Sequence, residues 1–181
     1  MSDRKNIETA VFGGGCFWCY EAIFARLRGV ESAVSGYAGG APEKAKYDYV
    51  SMGKTGHAEV VQVTFDPSVI SYRELLDIFF HVHDPTQMNR QGADIGTQYR
   101  SVIFYVNDAQ HEGAEAMIRQ LSASGEFDEP IATVLEPLDA FYTAEAYHQK
   151  YFDLNPDAPY CSVIIQPKVA KFLEKYKNLV K

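Results

Sequence analysis

The chain has 181 residues, 46% of them hydrophobic, which is enough for one domain with a sizeable buried core. Its formal charge is −7 and it has no block of lysine or arginine, so nucleic acids and membranes are not expected partners. No apolar run approaches the roughly 20 residues of a membrane-spanning helix, and the first six residues lack the apolar core of a signal peptide. We therefore expect a cytoplasmic protein whose three cysteines are kept reduced.

The first half of the chain predicts a strand, a helix and two further strands. In order, they are the strand of about Ile7–Phe12, the helix of about Phe17–Arg28 closed by Gly29, the strand Val30–Tyr37 and the strand His57–Phe65. The helix has apolar residues at helical spacing, and the last strand alternates apolar and polar residues. The polar stretch 41–54, bounded by glycines, is expected to be a loop, and it carries Tyr47.

A second helix and a long loop follow. Ser71 and Glu74 form a capping box at the start of the helix, which is broken at His83-Asp84-Pro85. Loops as long as 86–99 are more often functional than idle in compact domains, and this one carries Asp94 and Tyr99. The remaining predicted elements are the apolar strand Ser101–Val106, a helix with Ala114, Met117, Ile118 and Leu121 on its buried face, a short strand near 132–136, a helical stretch around 144–152 and a terminal helix of about 167–180.

The order β-α-β-β-α-β of the main elements predicts an α+β fold. We expect a two-layer α/β sandwich with a ferredoxin-like core and a coil-rich C-terminal extension laid over it. No linker divides the chain, so residues 1–181 are expected to form a single catalytic domain. Within it, residues 1–6 would be a flexible N-terminus, and residues 153–181 the C-terminal tail and helix.

Cys16 and Cys19 form a C-x-x-C directly after three glycines, where the first strand turns into the first helix. Unpaired backbone N–H groups and the helix dipole at a helix N-terminus favour a thiolate, so a lowered pKa is expected for Cys16. A zinc site would need two further ligands, and the chain offers no matching pair at ligand spacing. We therefore interpret Cys16 as a redox-active thiol, with a pair of small core residues as the alternative.

Glu59 has an informative position in the predicted strand 57–65. Alternate residues of a strand share a face, so Glu59 lies on the same side as Val61, Val63 and Phe65. A carboxyl group at the mouth of an apolar face is partly desolvated, which raises its pKa and suits it to act as a general acid. The alternative is a glutamate at the end of a strand that leans into solvent.

The remaining candidates have weaker signals. Tyr47 and Tyr99 could donate hydrogen bonds to a polar substrate oxygen, and Asp94 could orient a substrate or a water, with packing or turn roles as the alternative. Cys161 lies in a predicted irregular, mobile tail, which favours a redox role over an inert buried thiol. His57 would face the side of Glu59, in a supporting role. His111 and His148 are expected to be surface or packing residues.

Several sequence blocks together resemble the A-type peptide methionine sulfoxide reductases. The blocks run in family order from about residue 8 to residue 161 and are jointly highly specific. They are Gly14-Gly15-Cys16-Phe17-Trp18, Gly36-Tyr37-Ala38-Gly39-Gly40, Thr55-Gly56-His57-Ala58-Glu59, His83-Asp84-Pro85-Thr86, the run from Gln91 to Ser101, Ala144-Glu145 with His148-Gln149, and Asn155-Pro156 with Tyr160-Cys161.

The resemblance implies a thioredoxin-dependent enzyme that reduces methionine-S-sulfoxide, free or in proteins, without a bound cofactor or metal. Its implied role is the repair of oxidised proteins under oxidative stress. The family's fold is likewise an α/β sandwich with a coil-rich C-terminus. The implied residue roles are nucleophilic attack by Cys16, binding of the substrate methyl group by Phe17 and Trp18, protonation of the sulfoxide oxygen by Glu59 with hydrogen bonds from Tyr47 and Tyr99, and holding of the substrate or a water by Asp94.

One departure from the family concerns Cys19, because the commonest family motif has glycine there. Attack on the substrate leaves Cys16 as a sulfenic acid, which a second thiol condenses into a disulfide. Cys161 matches the tail position that resolves this intermediate in the family. Our sequence-based hypothesis is that Cys161 attacks first and that Cys19 then exchanges to give a second disulfide.

Two other classes of function remain open at this point. A thioredoxin-like thiol–disulfide oxidoreductase would use Cys16 and Cys19 as its redox pair, since it also has a C-x-x-C at a helix start. A peptide-binding or redox-sensing module would use the aromatic residues for recognition and would not need a reactive Cys16.

Overall fold

The computed structural model describes residues 5–181. Its main strands are β1 (Glu8–Gly13), β2 (Val30–Ala38), β3 (Ala58–Phe65), β6 (Val102–Tyr105), β7 (Val134–Pro137) and β8 (Phe141–Thr143). They form one sheet in the order β7-β6-β1-β3-β2-β8, with β6 and β7 parallel and the other neighbours antiparallel. β4 (Arg90–Gln91) and β5 (Asp94–Ile95) form a separate small hairpin.

The helices are α1 (Phe17–Phe24), α2 (Tyr47–Val50), α3 (Tyr72–His81), α4 (Asp108–Ser124), α5 (Tyr151–Leu154) and α6 (Gln166–Lys175). α3 begins with the predicted capping box, in which Ser71 Oγ accepts from Glu74 N at 3.1 Å and Glu74 Oε2 accepts from Ser71 N at 2.8 Å. The strands β6-β1-β3-β2, with α1 after β1 and α3 after β3, form the expected ferredoxin-like core. The predicted α+β sandwich is therefore confirmed.

The main core lies between the sheet and the helices. Phe12 of β1 stacks on Phe24 of α1 and on Phe79 of α3, with ring centroids 5.3 and 5.2 Å apart. A smaller apolar cluster on the other face of the sheet packs against Leu138 and Phe141. β3 is therefore buried on both faces along its first half, and this is the strand that carries Glu59.

Several predicted boundaries in the first and last thirds of the chain differ from the structure. α1 ends at Phe24 rather than at residue 28, because residues 26–28 bond to the C-terminus instead, with Arg28 N to Leu179 O at 2.8 Å. The predicted helical stretch 144–152 is a 3₁₀ turn, Ala146–His148, followed by α5. Lys150 interrupts them with a φ of 54°. β8 was missed, since three residues carry too little pattern to identify a strand.

The C-terminal segment is more ordered than the sequence predicts. Cys161–Ile165 forms a π-helical turn that runs directly into α6, and Cys161 is fully buried rather than carried on an irregular tail. The predicted terminal helix 167–180 ends at Lys175 and is followed by a 3₁₀ turn, Lys177–Leu179. Residues 1–4 of the predicted flexible N-terminus lie outside the described residues. From residue 5 onwards, no helix is both long and apolar enough to cross a membrane.

Candidate active site

Cys16 lies at the point where β1 turns into α1. It is the N-cap residue of α1 and is partly exposed. Gly15 has a φ of +106°, and a Cβ atom there would lie 3.0 Å from the side chain of Gln91. At Gly14 a Cβ atom would lie 2.5 Å from Tyr20 Oη. The glycines therefore let the loop 86–99 and the first turn of α1 approach the backbone beside Cys16.

The Cys16 thiol has a pKa well above its usual value, not the lowered pKa that its place at the helix N-terminus predicts. Burial is the largest cause, followed by the charges of Glu59 and Cys19, while the backbone N–H of Trp18 acts in the opposite direction. The helix terminus favours the thiolate as expected, but desolvation outweighs it at this site. Cys16 is therefore a protonated thiol in the substrate-free protein.

Glu59 is 3% exposed and points into the core, as the strand alternation predicts. Val61, Val63 and Phe65 on the same side are fully buried, whereas the residues between them are half-buried. Glu59 Oε1 accepts a hydrogen bond from Phe17 N at 3.2 Å. Burial raises the pKa of Glu59 to about 8, against the effect of the Phe17 hydrogen bond. The structure thus places a neutral carboxylic acid beside the first peptide group after Cys16.

The two predicted loops bring Tyr47 and Tyr99 close to this acid. Both phenols have a raised pKa, caused first by burial and then by charges that include Glu59, Asp94 and Cys16. Both side chains are half-buried. The four groups around Cys16 therefore belong to one site, although they come from β3 and from two stretches far apart in sequence. The prediction that these stretches are loops is wrong in detail, because Tyr47 begins α2, Asp94 lies in β5 and Tyr99 lies in a 3₁₀ turn.

Hydrogen bonds of Glu145 and Asp94 connect these stretches to the C-terminal third of the chain. Glu145 accepts hydrogen bonds from Tyr37 Oη at 2.9 Å and from Tyr47 N at 3.0 Å, which fixes the start of α2. Asp94 Oδ2 accepts a hydrogen bond from Tyr160 Oη at 2.6 Å. Glu145 and Tyr160 were not identified as site residues from the sequence, since nothing local marks a partner so distant in the chain.

The aromatic residues after Cys16 are organised around His148, which is 1% exposed. Trp18 Nε1 donates to His148 Nδ1 at 3.2 Å, and the Trp18 ring stacks on Tyr151 with centroids 3.7 Å apart. The rings of Phe17 and Tyr47 lie 5.0 and 4.8 Å from the His148 ring. His148 is thus a packing residue, as predicted, but its packing is against the site itself. Phe17 is buried and Trp18 half-buried, so Trp18 offers the more accessible apolar surface.

The structure gives the other histidines different roles. His57 is buried and holds the loop after β2, with its Nδ1 accepting from Gly40 N at 3.1 Å and its Nε2 2.8 Å from Ala41 O. Both ring nitrogens are therefore occupied away from Glu59, and the expected support of Glu59 by His57 is not found. His111 lies 3.3 Å from Glu115 on the surface of α4, as expected for a surface residue.

Cys19 and Cys161 are free thiols inside the main core, 5% and 0% exposed. Burial raises the pKa of Cys19 to about 11, with Lys168 acting in the opposite direction. Burial also raises the pKa of Cys161. Charge on the Cys19 thiol raises the pKa of Cys16, and charge on the Cys161 thiol raises the pKa of Cys19. Cys19 therefore lies near both other thiols. Within residues 5–181, no group of three or more histidine, cysteine or acidic side chains is arranged to hold a metal ion.

A partly exposed cysteine near a protonated carboxylic acid, on an α+β sandwich, is the arrangement expected of a thiol-dependent oxidoreductase. A sequence model of the family "Peptide methionine sulfoxide reductase" matches residues 8–180. The chain belongs to this family. It is of the A type, a peptide-methionine (S)-S-oxide reductase.

Similar sequences and structures support this assignment along nearly the whole chain. The peptide methionine sulfoxide reductase MsrA of Ralstonia nicotianae is 55% identical over 98% of this chain and 95% of its own length. The MsrA of Natronomonas pharaonis is 54% identical over 95% of this chain and 97% of its own. The crystal structure of reduced Mxr1 from Saccharomyces cerevisiae has a TM-score of 0.79 and 38% identity, covering 89% of this chain and 92% of Mxr1. Mxr1 in complex with Trx2 is also similar, with a TM-score of 0.55 and 29% identity over 83% of this chain and 88% of the other.

Proposed function

We propose that the protein uses Cys16 and Glu59 to reduce methionine-S-sulfoxide, both free and in proteins. Its role is the repair of oxidised proteins in the cytoplasm under oxidative stress, and residues 1–181 act as one catalytic domain. The observation that carries the mechanism is the buried Glu59 carboxyl group, hydrogen-bonded to Phe17 N at 3.2 Å. With a pKa of about 8 it holds a proton at neutral pH.

In the first step, the Cys16 sulfur attacks the sulfoxide sulfur while Glu59 gives its proton to the sulfoxide oxygen. A sulfoxide is a poor electrophile until its oxygen is protonated, so the acid is needed on the side opposite the thiol. The oxygen passes to Cys16 as a sulfenic acid, methionine leaves, and the thiol proton balances the one lost by Glu59. Tyr47 and Tyr99 donate hydrogen bonds to the oxygen.

Substrate binding uses the aromatic residues and Asp94. The methyl group on the substrate sulfur occupies the apolar surface of Phe17 and Trp18. Trp18 is held for this purpose from both sides, by the hydrogen bond to His148 and by stacking on Tyr151. Asp94, held by Tyr160, binds the polar part of the substrate or a water.

In the second step, a thiol condenses with the Cys16 sulfenic acid to give a disulfide and water. Attack by Cys161 requires the turn 161–165 to open, since Cys161 is buried in it. Cys19 lies one helical turn from Cys16, with Cys19 N bonded to Cys16 O at 3.3 Å. We therefore propose the reverse of the sequence-based order: Cys16–Cys19 forms first and Cys161 exchanges into it. A thioredoxin dithiol then reduces the enzyme disulfide, a partner supported by the similar Mxr1 complex with Trx2.

A sulfoxide reduction assay with dithiothreitol tests this function. Wild-type protein should release methionine from the S epimer and leave the R epimer, and Cys16→Ser should release none. Reduction of both epimers, or activity in Cys16→Ser, would contradict the proposal. The same preparations tested on insulin address the thioredoxin-like alternative, which the similar proteins do not favour and which predicts rapid insulin reduction. A sensing module, in contrast, would bind the sulfoxide equally well in Cys16→Ser and never turn it over.

A further inference from the structure

A face of α6 combines three lysines in a protein whose overall formal charge is −7. Lys168, Lys171 and Lys175 recur at spacings of three and four residues, which places them on one side of the helix. Lys171 and Lys175 are exposed, and Lys168 is half-buried. Within residues 5–181, none of the three forms an ion pair. This lysine face therefore groups three positive charges on an acidic protein, with Glu174 beside them on α6 and Asp77 and Glu126 on the far side of His81.

The lysine face borders a recess of about 330 Å³ between α6, the end of α3 and the loop 86–99. The recess is lined by apolar and polar groups as well as by the three lysines, and Asp84 is its one carboxylate. A cleft with one predominant sign of charge raises the local concentration and the association rate of an oppositely charged partner. The recess is thus suited to an acidic surface with a small apolar contact.

The recess also adjoins the redox-active end of the molecule. Gln91 lines it, and the side chain of Gln91 is the group that a Cβ atom on Gly15 would touch at 3.0 Å. α6 continues directly from the turn that begins at Cys161. Lys168 lies close enough to Cys19 to lower the pKa of that thiol against the effect of burial. The recess therefore borders the part of the molecule that holds all three cysteines.

We propose that the lysine face of α6 is the docking surface for an acidic thioredoxin that reduces the oxidised enzyme. This inference rests on the proposed function, because a reductant needs a docking surface only if a disulfide forms. Two proteins of net negative charge repel each other at a distance, so productive encounter depends on a local patch of opposite sign. Such transient redox contacts are small, so a few charges contribute a large share of the steering.

The test compares two variants that lose the same number of positive charges. Lys171→Gln/Lys175→Gln removes the exposed part of the face and leaves Lys168, which is close to Cys19. Arg119→Gln/Lys177→Gln is the control, since Arg119 is 72% exposed on α4 and Lys177 lies outside the recess. Each enzyme is assayed with methionine sulfoxide and either thioredoxin, thioredoxin reductase and NADPH, or dithiothreitol, at low and high salt.

We expect the value of kcat/KM for thioredoxin to fall roughly tenfold in Lys171→Gln/Lys175→Gln at low salt and to stay within about twofold in the control. The wild-type rate with thioredoxin should fall as salt is added, because salt screens attraction beyond a Debye length of about 10 Å. Rates with dithiothreitol, which is uncharged, should be equal in all three proteins. Equal losses in both variants, a wild-type rate that rises with salt, or a matching loss with dithiothreitol would each overturn the docking surface. Failure of the wild type with dithiothreitol would instead refute the proposed function.

Discussion

The Tyr160 hydroxyl donates a hydrogen bond to Asp94 Oδ2 at 2.6 Å, across 66 residues of sequence. Tyr160 immediately precedes Cys161, and its ring forms a T-shaped contact with the Trp18 ring, with centroids 6.0 Å apart. The bond therefore joins the turn that carries a candidate resolving thiol to the loop that carries Asp94 and Tyr99. The opening of the turn 161–165 and the binding of substrate by Asp94, both proposed above, would each disturb this hydrogen bond.

Tyr160→Phe should make Cys161 more accessible. The phenylalanine keeps the ring against Trp18 but removes the bond to Asp94, and a hydrogen bond to a charged group contributes about 1.5–3 kcal/mol. We expect disulfides that contain Cys161 to form roughly tenfold faster in a single turnover, while methionine release changes less. Rapid quench followed by thiol mapping measures both steps, and an unchanged or slower Cys161 step would exclude this restraint.

Glu59→Gln should reduce the chemical step by roughly a hundredfold or more, because glutamine preserves the shape but cannot deliver a proton. In the wild type, single-turnover methionine formation should fall above about pH 8, where Glu59 ionises. The residual rate of Glu59→Gln should not decrease above about pH 8, because glutamine does not ionise. Alkylation of Cys16 should persist in the variant, which shows that the thiol remains accessible. An unchanged single-turnover rate would rule out Glu59 as the acid.

The same residue predicts a dependence of stability on pH. The pKa of Glu59 is about 8 in the folded protein and 4.5 ordinarily, so between these values the folded state binds the extra proton. Its contribution to stability is complete below about pH 4.5 and declines as pH rises to about 8, ideally by about 1.4 kcal/mol per pH unit. Urea unfolding of Glu59→Gln against wild type should therefore show the variant gaining relative stability from pH 5 to pH 8. A constant difference over this range would contradict the raised pKa.

His148→Phe should loosen Trp18. The substitution keeps a ring against Phe17 and Tyr47 but removes the acceptor for Trp18 Nε1, and leaving such a donor unpaired costs about 1–3 kcal/mol. We expect KM for the sulfoxide to rise severalfold with a smaller change in kcat. Trp18 is the only tryptophan, so its emission reports this position directly and should shift in the variant. An unaltered emission spectrum and KM would show that the hydrogen bond to His148 does not position Trp18.

The order of disulfide formation can be determined with variants that each lack one cysteine. In Cys161→Ser, one turnover with substrate and no external reductant should give a Cys16–Cys19 disulfide at nearly the wild-type rate. In Cys19→Ser, a Cys16–Cys161 disulfide should appear more slowly, because the turn 161–165 must open first. Peptide mapping over time distinguishes the two. A fast Cys16–Cys161 disulfide in Cys19→Ser would restore the order that the sequence first suggested.

Local sequence patterns predicted the parts of the fold that depend on neighbours in the chain. The capping box at Ser71 and the burial of Glu59 both follow from rules that act over a few residues, and both are present. The order of the main strands also followed from the predicted ferredoxin-like core, because four strands and two helices in the order β-α-β-β-α-β leave few ways to pair. The resemblance then brought the two loops into the same site, which no periodicity could have done.

What could not be predicted depends on contacts between distant segments. The roles of His148 and Tyr160 depend on partners 130 and 66 residues away. The raised pKa of Cys16 was missed because the local effect of a helix terminus is smaller than the desolvation that the whole fold imposes. Cys161 was placed on a mobile segment because turn-forming residues precede it, although the chain after it folds back into a helix.

The burial of Cys19 and Cys161 has a consequence for damage by oxidants. A peroxide can oxidise only thiols that it can reach, and in the resting protein Cys16 is partly open to solvent while Cys19 and Cys161 are buried. Irreversible sulfinic acid should therefore form only at Cys16. There, further oxidation of the sulfenic acid competes with its condensation with a second thiol of the enzyme. Cys19 and Cys161 should stay reduced until the Cys16 sulfenic acid forms. The thiols that regenerate Cys16 are therefore preserved under the same conditions that oxidise methionine.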